Sequence, residues 1–239
     1  MKTLFHVADQ LGVTLTADEL DTFEAYYQEL IIWNSRFNLT TVTDREEVQI
    51  KHFADSLAVA GIIDEMAETS DLSLIDIGSG AGFPGVPLKI IRPAWHVVLV
   101  DSTRKKTDFL AHLIRQLDLK NIEVVWARVE EIGRNPTFRE QFDVAVARAV
   151  ADLTVLAEYG LPLLQRGGQL IAQKGSLATD ELKTAAKAVK LLGGYHRETR
   201  SYTLPGYDKP LQLVVLEKVE FTVAKYPRRP GVPSKRPLR

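Results

Sequence analysis

The sequence predicts an α/β fold: a mostly parallel sheet of seven strands with an antiparallel last strand, preceded by an N-terminal helical extension. Three observations carry this reading. The first 66 residues repeat apolar positions at helical spacing. From residue 72, short β-branched runs alternate with helical stretches, the rhythm of βαβ units. Finally, Leu74-Ile75-Asp76-Ile77 runs into Gly78-Ser79-Gly80-Ala81-Gly82-Phe83-Pro84-Gly85, a strand that ends in an acid, a glycine-packed turn and a helix opening at Pro84.

Leu4, Phe5, Ala8 and Leu11 form a short helical stripe that Gly12 ends. Thr16 and Glu19 have the spacing of a capping box, and the helix behind them presents Leu20, Phe23, Tyr27, Leu30 and Ile31 on one face. Thr43 and Glu46 repeat the spacing ahead of a third helix carrying Ile50, Phe53, Ala54 and Leu57. Strands follow at Leu72–Ile77, His96–Asp101, Ile122–Ala127, Asp143–Ala147, Gly168–Gln173, Tyr195–Tyr202 and Leu211–Val219. Helices are expected at Pro84–Ile91, Arg104–Leu117, Leu153–Leu164 and Thr179–Leu192. A Pro205-Gly206 turn joins the last two strands, so they should pair antiparallel at one edge. The expected segments are a helical cap over 1–66, a nucleoside-binding domain over 67–220 and a C-terminal arm over 221–239.

The totals exclude several function classes. With no cysteine, the chain has no disulfide, no thiolate metal site and no thiol nucleophile, and no metal centre is expected. Acids throughout the first thirty residues argue against a signal peptide, and the longest apolar stretch, Leu57 to Ile63, is too short to cross a bilayer. A cytoplasmic monomer without membrane contact is the expectation. The net charge of −1 hides an uneven distribution: six of the 30 Lys and Arg lie between Lys225 and Arg239, where no acid occurs. That arm, with Pro227, Pro230, Pro233 and Pro237 opposing helix, reads as an extended basic strand for a polyanion, or as a solvated frayed end.

Asp76 bears on the cofactor. A GxGxxG spacing can be read at Gly80, Gly82 and Gly85, so a dinucleotide competes. An acid two residues before the glycines would repel a pyrophosphate, whereas it would attract an ammonium or sulfonium, which favours S-adenosyl-L-methionine. No GK[ST] follows, so a triphosphate loop is excluded. Asp101, ending the second strand, stands where a ribose offers its hydroxyls.

The loop from Asp76 to Pro84, the earlier Trp33-Asn34, Phe37-Asn38-Leu39-Thr40 and Lys51-His52-Phe53-Ala54-Asp55-Ser56-Leu57, and the terminal Tyr226-Pro227-Arg228-Arg229-Pro230-Gly231 together resemble the RsmG (GidB) family. Those enzymes are bacterial guanine-N7 methyltransferases acting on the 530 loop of 16S ribosomal RNA. The resemblance spans nearly the whole chain and implies a class I methyltransferase (Rossmann-like) fold with S-adenosyl-L-methionine as cofactor. It implies cofactor contacts at Gly78 and Phe83, the adenine end held at Val129 and Glu130, and Arg148 bordering the site; Asp76, Gly80 and Asp101 join this set by their place in the turn and strand. For the RNA, Asn38 and His52 fall within family-like segments, Arg148 and Lys174 suit phosphate or the guanine O6 edge, and Tyr226, Arg228 and Arg229 belong to the arm. The partner is then 16S rRNA, within the small subunit or an assembly intermediate.

Each residue also has a structural reading: Phe83 as loop packing, Glu130 as a helix-start acid, His52 as a structural imidazole, Lys174 as a strand-end lysine whose stem covers apolar surface. Arg148 is harder to dismiss, since it interrupts an otherwise apolar run from Val144 to Ala151 and needs a partner or a cleft.

The segment Ala147-Arg148-Ala149-Val150-Ala151-Asp152 lacks the Asn/Asp-Pro-Pro-Tyr run used on exocyclic amines, and the absence of cysteine excludes methylation at pyrimidine carbon 5. Guanine N7 loses no proton when it attacks, so no catalytic base is expected. The alternatives are a small-molecule methyltransferase and a cofactor-binding scaffold without chemistry.

Overall fold

The computed structural model describes residues 1–66, 71–175 and 178–238. The boundary expected at residue 67 and the final Arg239 lie outside them. One sheet holds β1 (Ser73–Ile77), β2 (His96–Asp101), β3 (Ile122–Trp126), β4 (Phe142–Arg148), β5 (Leu164–Lys174), β6 (Gly194–Tyr202) and β7 (Leu211–Lys218), in the order β3-β2-β1-β4-β5-β7-β6. Strands β1 to β5 pair in parallel, and β7 runs antiparallel between β5 and β6. The α/β class with its mostly parallel seven-stranded sheet is therefore as expected. The last two strands do pair with each other, and their residues explain which lies inside: Leu213 to Leu216 of β7 are all buried, whereas β6 carries Arg197, Glu198 and Arg200 as an edge strand does.

The chain runs outward from β1 through β2 to β3, then returns to place β4 on the other side of β1. That reversal opens a crevice at the carboxyl ends of β1 and β4, where open α/β sheets bind their ligands. Helices α1 (Lys2–Gln10), α2 (Ala17–Phe37), α3 (Arg45–Val48), α4 (Asp55–Leu57) and α5 (Ala60–Met66) form the cap. With α6 (Gly85–Ile91) and α7 (Arg104–Gln116) they bury one core against the sheet. On the opposite face, α8 (Val129–Ile132), α9 (Leu153–Gly160) and α10 (Ala178–Leu191) build a second.

The capping box forms as read: the Thr16 hydroxyl accepts from Glu19 N–H at 3.2 Å, and the Glu19 carboxylate accepts from Thr16 N–H at 2.7 Å. Other local expectations change. The buried face of α2 is Phe23, Tyr26 and Leu30, with Tyr27 only half-buried, and Phe5 of α1 is exposed. The second cap is Asp44 rather than Thr43, with its carboxylate accepting from Glu46 and Glu47 N–H at 3.0 Å each. The expected third helix is α-helical only at its ends, because Gln49–Ala54 between α3 and α4 winds as a π-helix, a form that recurs at functional sites.

The C-terminal segment is not a free arm. Arg139 donates to the carbonyls of Thr222 (2.6 Å) and Tyr226 (2.8 Å), and Arg134 to Pro227 (2.7 Å). Tyr226 is buried in the second core, and Arg228 pairs with the buried Glu158 at 2.6 Å. The prolines keep 222–230 from helix, but its carbonyls then accept from arginines of the body instead of water. After Gly231 a last short helix, α11 (Val232–Lys235), takes Pro233 into its first turn, where a missing N–H costs nothing.

Candidate active site

The turn after β1 is held from below and from the side. Gly78 and Ser79 N–H donate to Val100 O at 2.8 and 3.0 Å, and Gly80 N–H donates to the Asp101 carboxylate at 3.0 Å. The other Asp101 oxygen accepts from Thr103 N–H at 2.7 Å. Asp101 thus ties the two loops that flank the crevice. Gly78 and Gly80 have φ of +69° and +61°, the left-handed region that side chains resist. A Cβ on Gly78 would also lie 2.8 Å from Val150 Cγ2. From the cap, the Tyr26 hydroxyl donates to Ala81 O at 2.5 Å.

Asp76 lies beneath the turn, fully buried. Its Oδ2 accepts from Gly85 N–H at 2.9 Å, and its Oδ1 has no hydrogen-bond partner. Burial outweighs the Gly85 bond and the attraction of Arg148, and pushes the carboxyl up to about 7. An orphaned oxygen under a turn of left-handed glycines, with Asp101 at the next strand end, fits a ligand carrying an ammonium or sulfonium and a ribose. The residues present therefore suit S-adenosyl-L-methionine.

Beside this turn, between the π-helical stretch and the ends of β4, β5 and β7, lies a cavity of about 410 Å³ lined by Lys51, His52, Asp55, Arg148, Gln173, Lys174, Tyr202 and Tyr207, among others. Arg148 organises it. Its guanidinium donates to Asp55 Oδ2 at 2.8 Å and to Lys51 O at 2.9 Å, and stands 4.9 Å from the centre of the Phe83 ring. His52 stacks on Phe83 at 4.6 Å, and its Nε2 is 2.8 Å from the Thr40 hydroxyl. Desolvation first, then the charge of Arg148, lowers His52 to about 4. The Tyr202 hydroxyl donates to Asp55 Oδ1 at 2.5 Å; burial and that carboxylate raise its pKa. Among the described residues, no group of three or more His, Asp or Glu is placed to hold a metal.

The sequence-named residues fall into three groups. Asp76, Gly78, Gly80, Phe83 and Asp101 surround the glycine turn. Arg148, His52 and Lys174 line the cavity, although Lys174 is tied to Ala151 O at 2.6 Å and Glu181 at 2.7 Å. Asn38 is exposed at the end of α2.

The third group lies apart from the cavity. Val129 and Glu130 open α8 after β3, but the buried Glu130 carboxylate accepts from Gly231 N–H at 2.8 Å. Tyr226 and Arg228 pack against the body as described, and Arg229 is exposed beside them. None of these three lines the cavity.

Sequence reasoning passed over Tyr26, Gln173, Tyr202 and Tyr207. Gln173 Nε2 donates to Asp55 O at 2.7 Å while its Oε1 has no partner. A glutamine ending an apolar strand was the signal for it; the tyrosines carried none.

Comparison with known proteins adds to this geometry. The family model of rRNA small subunit methyltransferase G (GidB) matches residues 19–206. Ribosomal RNA small subunit methyltransferase G of Roseiflexus sp. is 47% identical over 238 residues, covering 100% of both chains. The protein of that name from Acetivibrio thermocellus is 45% identical over 237 residues, 99% of this chain and 96% of that one.

Among solved structures, a candidate RNA methyltransferase from Pyrococcus horikoshii superposes with a TM-score of 0.55 at 12% identity, covering 81% of this chain and 98% of that one. The cyclase SpnF also reaches 0.55, at 13% identity over 70% and 81%. A transferase and a cyclase on one fold mean that these likenesses describe architecture, and that chemistry must be read from side chains.

Proposed function

Because the chain belongs to the rRNA small subunit methyltransferase G family, we propose that its methyl acceptor is N7 of a guanine in the 530 loop of 16S rRNA, attacked in line without a general base. The coarser activity is S-adenosyl-L-methionine-dependent methylation of small-subunit rRNA. When bound, the cofactor supplies a methyl carbon on a positively charged sulfur. Asp76, Gly78, Gly80, Phe83 and Asp101 would hold it, with Val129 and Glu130 at the start of α8 toward its adenine. The chain acts as a monomer on the small subunit or an assembly intermediate.

One observation carries the proposal: the imidazole facing the cavity, His52, is lowered to about 4 and engaged by Thr40, so it is a poor proton acceptor at neutral pH. A nucleophile that must lose a proton would be served badly here. Guanine N7 needs only to be held about 3 Å from the methyl carbon in the right direction. The product base is cationic, and Arg148 on the cavity wall is itself paired with the Asp55 carboxylate at 2.8 Å, so the pair leaves little net charge to repel that product. Lys174, neutralised by Glu181, adds no competing charge.

The base must leave its stack to enter, at a cost of a few kcal/mol, which favours an unpaired loop. Tyr202, Tyr207 and Phe83 supply aromatic surface near the mouth, and Arg148 and Asn38 address the O6 edge and neighbouring phosphates.

The test is a map of 7-methylguanine in 16S rRNA from cells with and without this chain. A single 530-loop guanine that loses its methyl group is expected; an unchanged map would return the chain to a different acceptor.

A further inference from the structure

At the far end of the same sheet edge, Trp126 closes β3, the outermost strand, with 56% of its surface in solvent. Exposing so much aromatic surface forgoes the burial that usually stabilises a tryptophan. The ring is nonetheless fixed: its Nε1–H donates to Ser102 O at 3.1 Å, and the Arg104 guanidinium stands 4.8 Å from its centre. Arg104, Lys105 and Lys106 follow in the first turn of α7, where the helix dipole disfavours cations and no acid is present. One turn on, Asp108 accepts from Arg104 Nε at 3.0 Å, an exposed pair that water screens. Lys106 lies 3.9 Å from the Asp101 carboxylate, so Arg104 and Lys105 are the cations this patch offers.

Contacts connect the patch to the cavity. Lys105 Nζ donates to Phe37 O at 2.9 Å, at the end of α2; Asn38 follows, and then Thr40, whose hydroxyl meets His52. Arg148 on β4 and Trp126 on β3 are separated by β1 and β2, three strand spacings or roughly 14 Å. A single strand with one base in the cavity passes over the patch within a short run of nucleotides.

We infer that Trp126, Arg104 and Lys105 form a second contact for single-stranded RNA, in which a base flanking the target stacks on the indole and its phosphates meet the two cations. Rings with an open face bind bases regardless of sequence, and adjacent cations track the backbone. The inference rests on the rRNA-methylation reading above.

Small subunits lacking the modification serve as the methylation substrate, and a single-stranded RNA oligonucleotide as the binding probe. Trp126→Ala raises KM for subunits about tenfold, with kcat and cofactor affinity at wild-type values. In R104Q/K105Q, the slope of log affinity against log salt falls by about one for each phosphate that the two side chains no longer neutralise. The oligonucleotide quenches tryptophan fluorescence in the wild type and not in Trp126→Phe, since Trp95 is buried and Trp33 half-buried.

Unchanged KM and salt slope overturn the inference. So does a cofactor affinity that falls in step with KM, which marks the indole as a brace for the Asp101 turn. Quenching by intact subunits but not by RNA assigns the patch to a protein partner and also overturns it. A wild-type chain that methylates no rRNA removes the underlying reading, whereas methylation by the wild type together with an unchanged KM in Trp126→Ala removes this inference alone.

Discussion

Gly78 shows how little room the glycine turn leaves at the level of a single residue. Gly78→Ala must hold a left-handed φ and place a methyl group against Val150, so cofactor affinity falls by about tenfold or more in calorimetry while the fold persists. Asp55→Asn keeps the shape of its side chain but strips Arg148 of its charge partner and the cavity of its carboxylate. The expected result is a drop in kcat of at least about tenfold at unchanged cofactor affinity.

Two groups, one half-buried and one fully buried, bend stability against pH in opposite senses. His52 is lowered from 6.5 to about 4, so its contribution is complete above 6.5 and lost as pH falls through about 4. Asp76 is raised from 3.8 to about 7, so its contribution is complete below 3.8 and lost as pH rises through about 7. Asp76→Asn removes the second effect alone, and denaturant titrations then show stability rising from acid to neutral pH more steeply than in the wild type. Gly78 and Asp76 were legible in the sequence because a turn of that geometry admits few residue types. The ion pair of Arg148 with Asp55 was not, because its members lie in separate elements and only the packed cap brings them together.

Among the elements, α2 and the stretch behind it make a useful contrast. Thr16→Ala removes one half of the capping box and lowers stability by about 1 kcal/mol in chemical denaturation. Local spacing was enough to find that cap, since both partners are three residues apart. The π-helical Gln49–Ala54 was invisible to the same reasoning because its apolar residues satisfy an α-helical pattern equally well. Side chains bond carbonyls at both of its ends: Gln49 donates to Arg45 O at 3.1 Å, and Ser56 to His52 O at 2.6 Å. Tyr26 was missed for a similar reason. Its ring is core like any other, and only its hydroxyl, fastened to Ala81 O, reaches the glycine turn.

The whole molecule is closed by its C-terminal segment, whose composition suggested an appendage. Proline and arginine content set its local conformation but said nothing of Glu158, a buried carboxylate on α9 waiting for Arg228. Glu158→Gln leaves that cation half-buried without a counter-charge and costs about 2 to 3 kcal/mol in thermal or chemical unfolding. Removal of residues 225–238 uncovers the second core around Tyr226 and lowers the melting temperature as well as any RNA affinity.

The place of β7 has a kinetic consequence. Strands β1 to β5 can each join a neighbour already present, but β6 pairs with β7 alone, and β7 alone joins it to the sheet. Strand β6 therefore cannot join the sheet before β7, and in pulse-labelling experiments its amides gain protection no earlier than those of β7, after β1 to β5 have closed against exchange.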